Sequence, residues 1–324
     1  MAIKILITGG TGLIGGKVLT RLLEKGTNYQ ITALIRPETK AQRINRIKGQ
    51  VEIIPIDLTD VHGIRRYLDS NTFDLIVHIG ALRGGRKFDR TAFYKANVLS
   101  TEQFIESAII HQSRLLFCSS VGVFGTIPLE IPANNRSPKV PDSYYHYTKI
   151  EAEKRINSAI LRGLNALILR PAITYGIGDY GFPYQMVRLV DKRLFPLLMK
   201  RIWIHLCHIE TITDAFIRVM ENEFENGLTL NIADREPVQM TDLINFISRE
   251  LHKRNYSKSM VFDEKLFRLG ERISGWLKNE LWLSRFKLIS HSWFFDVQDA
   301  YDLLSLTPRY TIPDFRIVVQ DYLQ

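Results

Sequence analysis

Cysteine is scarce: Cys118 and Cys207 are the only two in the chain of 324 residues. Neither sits at a metal-ligand or redox spacing, and each lies in an apolar stretch. That excludes a disulfide scaffold and points to buried free thiols in a reducing compartment. No run of about eighteen apolar residues occurs, so nothing reads as a transmembrane helix. The segment from Met1 to Ile7 enters a strand pattern at once, without the basic start, longer apolar stretch and cleavage site of a signal peptide, and a cytoplasmic location is expected. Internal repeats and low-complexity segments are also missing. Acidic residues are outnumbered, 34 against 43 Lys and Arg, giving a formal charge of +9. Such a balance suits an anionic partner: a phosphate-bearing cofactor, an acidic substrate, a membrane surface or a nucleic acid. No DNA- or RNA-binding motif accompanies the charge, so no nucleic-acid partner is expected.

What is present is a rhythm. Short, nearly continuous apolar runs at Ile3–Ile7, Gln30–Ile35, Val51–Ile56, Asp74–Ile79, Arg114–Ser119, Asn165–Arg170 and Leu228–Ile232 read as strands buried on both faces. Between them Leu13–Lys25, Val61–Leu68, Ala92–His111 and Tyr144–Leu161 read as helices, two of them closed by Gly26 and Gly163. This alternation predicts an α/β fold, a doubly wound parallel sheet of Rossmann type. After Pro171 the rhythm breaks, and a smaller, mostly helical C-terminal substrate domain is expected. The expected division is 1–171 plus 212–234 for the dinucleotide domain and 172–211 plus 235–324 for the substrate domain.

Thr8-Gly9-Gly10-Thr11-Gly12-Leu13-Ile14-Gly15 joins the first strand to the first helix. A glycine pattern alone is weak evidence, but between a first strand and a first helix it is specific. Glycines there permit a tight turn and close approach to a pyrophosphate, which then meets the unpaired N–H groups and positive end of the helix. Gly9, Thr11, Gly12, Leu13, Ile14 and Gly15 are the expected cradle. At the end of the second strand, where an NAD site places an acid on the ribose, stands Arg36. A guanidinium pairs with the 2′-phosphate of NADP, so NADP is preferred over NAD.

In Ser143-Tyr144-Tyr145-His146-Tyr147-Thr148-Lys149, only Tyr145 among the three tyrosines has a lysine four positions on, one helical turn away. A free phenol has a pKa of about 10. A neighbouring ammonium, with the positive charge of an oxidised nicotinamide, stabilises phenolate and fits the pair for proton transfer to or from a carbonyl oxygen. Upstream, Ser119 and Ser120 end the fifth strand, where either hydroxyl could orient that oxygen.

Taken together, these segments resemble the extended short-chain dehydrogenase/reductase family, which includes NAD(P)-dependent epimerases and dehydratases, hydroxysteroid dehydrogenases and dihydroflavonol reductases. The resemblance covers nearly the whole chain. It implies Ser120, Tyr145 and Lys149 as the catalytic group, with Lys149 also holding the nicotinamide ribose. Asp57 and Leu58 resemble the adenine contact, Ile79-Gly80-Ala81 the cofactor-lining turn, Asn97 the helix asparagine that shapes the site, and Pro171-Ala172-Ile173 the backbone along the nicotinamide. A homodimer through Ala92–His111 and Tyr144–Leu161 is implied as well. Val121-Gly122 replace the Asp-Glu pair of sugar-nucleotide 4,6-dehydratases, which argues against that activity. His205 aligns where many sugar-nucleotide enzymes carry a phosphate-holding arginine.

The leading expectation is an NAD(P)-dependent oxidoreductase interconverting a ketone and a secondary alcohol on a small-molecule substrate. The alternatives are a nucleotide-sugar 4-epimerase that reduces its cofactor transiently, and a non-catalytic NADP-sensing or RNA-associated protein on the same fold. His205, His208 and Glu210 lack a fourth ligand, so no metal is expected. Phe262–Trp293 interleaves basic and apolar residues. Contact with a membrane surface is one reading of it, and a helical lid over the substrate pocket is the preferred one.

Overall fold

A computed structural model describes residues 2–26, 28–83, 89–277 and 280–324. In chain order the elements are β1 (Ile3–Thr8), α1 (Leu13–Glu24), β2 (Tyr29–Ile35), α2 (Ala41–Asn45), β3 (Glu52–Pro55), α3 (Val61–Asp69), β4 (Leu75–His78) and α4 (Arg90–Tyr94). After a π-turn at Lys95–Leu99 come α5 (Ser100–His111), β5 (Arg114–Cys118), α6 (Tyr144–Ile160), β6 (Asn165–Pro171), β7 (Ile173–Tyr175) and α7 (Phe182–Asp191). Then follow β8 (Leu197–Leu198), β9 (Trp203–Ile204), β10 (Leu206–His208), α8 (Ile209–Glu221), β11 (Thr229–Ile232), β12 (Val238–Gln239) and α9 (Met240–His252). The last are β13 (Val261–Phe262), α10 (Glu264–Trp276), α11 (Glu280–Ser290), α12 (Gln298–Leu304), α13 (Thr311–Asp314) and α14 (Arg316–Leu323).

Seven strands form one sheet in the order β11-β6-β5-β4-β1-β2-β3. The register is parallel from β3 through β6, as Ile5 opposite Ile31 and Leu116 opposite Leu167 show. The order reverses beside β1: the chain winds outward through β2 and β3, then crosses back to β4. Ligands bind doubly wound sheets at such a reversal, outside the strand ends. The continuous apolar runs end up where strands covered on both faces belong, with Ile5, Leu6, Ile7, Leu115, Leu116 and Phe117 fully buried.

The chain divides into two compact units, 1–123 with 139–170 and 213–230, and 124–138 with 171–212 and 231–324. The expected division left 124–138 in the dinucleotide domain. Here that loop joins the second unit, where the Ala133 N–H donates to the Phe294 carbonyl and Asn231 Nδ2 to the Ala133 carbonyl. The helix expected over Ala92–His111 starts earlier, at Arg90, where the Asp89 side chain caps α4, and it is interrupted by the π-turn. In the stretch after Pro171, where the strand–helix rhythm breaks, lies α7. Gly181 and Pro183 look like breakers, but proline is favoured in a first helical turn, and Met186, Val187 and Val190 form its buried face.

In the first unit the decisive polar node is Glu153 on α6, fully buried. Its carboxylate accepts from Arg170 Nε and Nη2 at 2.7 Å each, from Lys139 Nζ at 2.7 Å and from the Ser119 hydroxyl at 2.6 Å. Burial alone would raise its pKa, but Arg170 and Lys139 outweigh that and hold it below the usual carboxylate range. A depressed carboxylate stabilises the fold above its unfolded pKa of about 4.3, and the contribution is lost as pH falls through the lower folded value. Glu153→Gln, which leaves Arg170 buried beside a neutral group, is expected to cost about 3–5 kcal/mol. The variant should also lose part of the wild type's acid sensitivity, both effects being read from urea melts at neutral and acid pH.

Candidate active site

The first turn after β1 is built from backbone. Gly9 sits at φ +75°, a left-handed conformation, and a Cβ there would lie 2.7 Å from the Gly80 amide nitrogen; a Cβ on Gly15 would collide with the Gly9 carbonyl. Only glycine lets β1, the α1 N-terminus and the turn after β4 come this close. Gly12, at the α1 N-cap, has no side chain to cap the helix. The first-turn N–H groups of Leu13, Ile14 and Gly15 therefore have no intrahelical acceptor, and they form a ready seat for an anion. Thr11 lies partly buried at the tip of the loop. The chemistry and shape of this seat fit a dinucleotide pyrophosphate.

Around it the expected residues fall in place unevenly. Leu58 reaches Gly80, whose added Cβ would lie 2.9 Å from Leu58 Cδ1. Ile79, Gly80 and Ala81 are partly buried in the turn after β4, and Arg36 is exposed just past β2. Asp57 already has work in the fold: its Oδ1 accepts from the Thr59 N–H at 2.7 Å and the Thr59 hydroxyl at 2.6 Å. Pro171, Ala172 and Ile173 mark the start of the second unit, where the Ala172 N–H donates to the Ile232 carbonyl and Ile173 pairs with Leu206.

A buried hydrogen-bond chain links the glycine turn to α6. Thr8 Oγ1 accepts from the Gly80 N–H at 2.9 Å and lies 2.7 Å from His78 Nδ1, while His78 Nε2 lies 3.0 Å from Thr101 Oγ1. The Thr101 hydroxyl donates to the Asn97 carbonyl at 2.9 Å. With Thr101's proton committed there, Nε2 must carry the imidazole hydrogen and Nδ1 accepts from Thr8. Burial, aided by Lys149, lowers the His78 pKa to about 3, so the ring is neutral. Asn97, in the π-turn, clamps the loop after β4 by exchanging two 2.8 Å bonds with the Leu82 backbone, and its Nδ2 also donates to Thr148 on α6 at 3.0 Å. The Thr148 hydroxyl in turn donates to the Tyr145 carbonyl at 2.8 Å.

The two serines, equivalent in sequence, part company here. The Ser119 hydroxyl is taken by Glu153 in the core, whereas Ser120 Oγ accepts from the Gly122 N–H at 3.0 Å and lies close enough to the Tyr145 phenol to favour its phenolate. Lys149 Nζ donates to the Cys118 carbonyl at 2.8 Å and lies 4.6 Å from the centre of the Phe117 ring. Burial lowers the Lys149 pKa to about 8, partly offset by Cys118 and Glu153. Burial, reinforced by Cys118, raises the Tyr145 pKa well above its ordinary value, while Ser120 and Arg83 favour phenolate only in part. Without a bound cofactor's charge, the phenol stays protonated.

One pair escaped the sequence reading. His146 Nδ1 lies 2.6 Å from Asp142 Oδ1, and a Cβ on Gly122 would meet His146 Nε2 at 2.6 Å and Ser120 Oγ at 3.2 Å. The imidazole thus borders Ser120; its spacing from Asp142, one helical turn, was the available signal. His205 also resolves. It is buried in the second unit, with Nε2 2.7 Å from the Asp234 carbonyl and Nδ1 accepting from the Phe295 N–H, and burial lowers its pKa to about 4. The neighbouring Asp234 carboxylate accepts from Tyr175, Thr311 and the His208 N–H. Among the described residues no group of three or more His, Cys, Asp or Glu side chains is arranged to hold a metal.

Fold and site define an enzyme that uses a nicotinamide dinucleotide. The model of the NAD dependent epimerase/dehydratase family matches residues 5–233, and the chain belongs to that family. A 4-hydroxy-2-methyl-3-oxo-4-farnesyl-3,4-dihydroquinoline-1-oxide ketoreductase of Stigmatella aurantiaca is 25% identical over 75% of this chain and 72% of its own length. A 2-alkyl-3-oxoalkanoate reductase of Stenotrophomonas maltophilia is 30% identical over 54% of this chain and 52% of its own. UDP-glucose 4-epimerase 4 of Oryza sativa is 28% identical over 58% and 56%, so the match spans little more than half the length of the last two relatives. Among solved structures, the Bordetella bronchiseptica enzyme WbmH in complex with NAD+ superposes with a TM-score of 0.75 at 15% identity, covering 98% of this chain and 97% of that one. The chain is therefore an oxidoreductase of the epimerase/dehydratase type.

The cradle makes a direct prediction. Gly9→Ala, which places a methyl against the Gly80 backbone, should weaken cofactor binding at least about tenfold, roughly 1.4 kcal/mol. Quenching of intrinsic fluorescence by NADPH and NADH measures the loss, and an unchanged circular dichroism spectrum confirms that the fold is retained.

Proposed function

We propose that the enzyme reduces a ketone to a secondary alcohol, with NADPH as the preferred hydride source and a small or lipid-like molecule as substrate. The observation that carries this is the meeting of Ser120, just past β5, with Tyr145 on α6, one helical turn before Lys149. A reduction needs a proton donor at the carbonyl oxygen, and a tyrosine hydroxyl beside a serine is a fitting one.

When bound, the cofactor supplies hydride to the carbonyl carbon. Ser120 orients the carbonyl oxygen, and Tyr145 gives that oxygen its phenolic proton as charge develops there. Lys149, released from the Cys118 carbonyl, stabilises the phenolate left behind and holds the nicotinamide ribose. Asp57 and Leu58 serve the adenine, Asn97 keeps the loop after β4 in shape, and Pro171-Ala172-Ile173 line the nicotinamide. Two relatives named as reductases of oxo compounds, one with a farnesyl substituent, support the substrate class. A homodimer through α5 and α6 and a cytoplasmic location belong to the same reading.

The epimerase relatives favour a second reading, a nucleotide-sugar 4-epimerase. Against it stands His205: at the position aligned with a phosphate-holding arginine there is a neutral, buried imidazole whose two nitrogens are already engaged. Loss of NADPH absorbance in step with alcohol formation, using cofactor that exchanges freely, supports the reductase. Cofactor retained through purification, with no net absorbance change on a UDP-sugar, contradicts it.

Two variants test the roles. Tyr145→Phe should lower kcat by about 10²–10⁴ with cofactor affinity retained; turnover at the wild-type rate would remove Tyr145 from the chemistry. Arg36→Asp should reverse cofactor preference by repelling the 2′-phosphate, losing about tenfold or more in kcat/KM with NADPH while NADH is used as well or better.

A further inference from the structure

The helix α10 is turned inside out. Leu266, Leu269, Ile273, Trp276 and the following Leu277 all face solvent, Trp276 with 83% of its surface exposed. At about 100° per residue these five side chains form a single stripe spanning roughly 100° of the helix. The side next to the stripe's Leu277 border makes the packing contacts. Phe267 and Ser274 are buried, and Gly270 lies against the Phe286 ring of α11, 2.8 Å from where its Cβ would stand. A stripe of this length and periodicity is the feature that normally buries a helix in its own protein, so its exposure needs a partner.

The charges show what kind. Lys265, Arg268 and Arg272 project along one border of the stripe, all exposed. The helix's acids are turned away and engaged: Glu264 accepts from Arg268, and the Glu271 carboxylate lies 2.6 Å from the Ser290 hydroxyl. On α11 the half-exposed Trp282 carries the Arg285 guanidinium 5.4 Å from its ring centre. Leucine and tryptophan on one face with arginine and lysine at its edge is the pattern of a helix lying in the plane of a lipid–water interface. The protein's net charge of +9 has the sign that an anionic leaflet attracts. No described helix is long and apolar enough to cross a membrane.

We infer that the exposed stripe of α10, with Trp282 beside it, docks the protein peripherally on an anionic phospholipid surface. Leu266, Leu269, Ile273, Trp276 and Leu277 enter the acyl boundary while Lys265, Arg268 and Arg272 meet the lipid phosphates. None of these residues belongs to the candidate active site, so the docking stands or falls independently of the reduction proposed above.

The test is flotation of the intact protein with phosphatidylcholine vesicles, with and without phosphatidylglycerol, followed by tryptophan fluorescence. Expected are binding that requires phosphatidylglycerol and weakens with salt, a blue shift, and quenching by brominated acyl chains that falls when Trp276 is replaced by Phe. Leu269→Glu with Ile273→Glu should lower partitioning about tenfold or more, and Arg268→Gln with Arg272→Gln about fivefold per cation removed. Both double variants should keep the wild-type melting temperature and cofactor affinity. Failure to float with either vesicle, or partitioning that the substitutions leave unchanged, overturns the inference. So does light scattering in which Leu269→Glu/Ile273→Glu converts a wild-type oligomer to monomer, because the stripe is then covered by a second copy of the chain.

Discussion

One buried carboxylate holds the catalytic architecture in register. Glu153 stands one helical turn beyond Lys149, and its two oxygens gather β5 through Ser119, β6 through Arg170 and the segment entering α6 through Lys139. An unpaired carboxylate at zero exposure would be prohibitively costly, so the helix has one acceptable position against the strand ends. That position delivers Tyr145 to Ser120 and Lys149 to the Cys118 carbonyl. It also separates the two serines: Ser119 is consumed by the fold, and Ser120 faces Tyr145.

A second, uncharged network does for the cofactor side what Glu153 does for the catalytic side. Thr8, His78, Thr101, Asn97 and Thr148 run from the glycine turn to the start of α6, each donor meeting an acceptor. Because His78 is held neutral, the chain carries no charge into the core and needs none to stay fixed. The π-turn around Asn97 is what aims that side chain at the loop after β4 rather than along a regular helix. The glycine turn and Tyr145 are thereby tied together, through Thr8 at one end and Thr148 at the other.

Much of this was legible in the chain itself. Strands buried on both faces announce themselves as continuous apolar runs, and the Gly9–Gly15 turn is dictated by local sterics, so sheet and cradle could be read from residues near one another in sequence. Ser119 and Ser120 could not be separated that way without the family resemblance, because the difference between them is made by Glu153, over thirty residues away. At Tyr145 the Lys149 spacing is visible in the chain, whereas the burial that raises the phenol's pKa is a tertiary effect. Helix α7 was hidden by Gly181 and Pro183, which look like breakers but mark a helix start. The exposed stripe of α10 lay within reach as a periodic pattern, but that it faces outward is settled only by how α10 and α11 pack.

The measurement that bears most directly on the account is a crystal structure with NADP+ bound. The account places the pyrophosphate on the N–H groups of Leu13, Ile14 and Gly15, the 2′-phosphate against Arg36, and the nicotinamide ring beside the Tyr145 hydroxyl, with Lys149 moved from the Cys118 carbonyl to the ribose. A cofactor seated elsewhere, or a Tyr145 hydroxyl turned away from the ring with Lys149 still on Cys118, would contradict it.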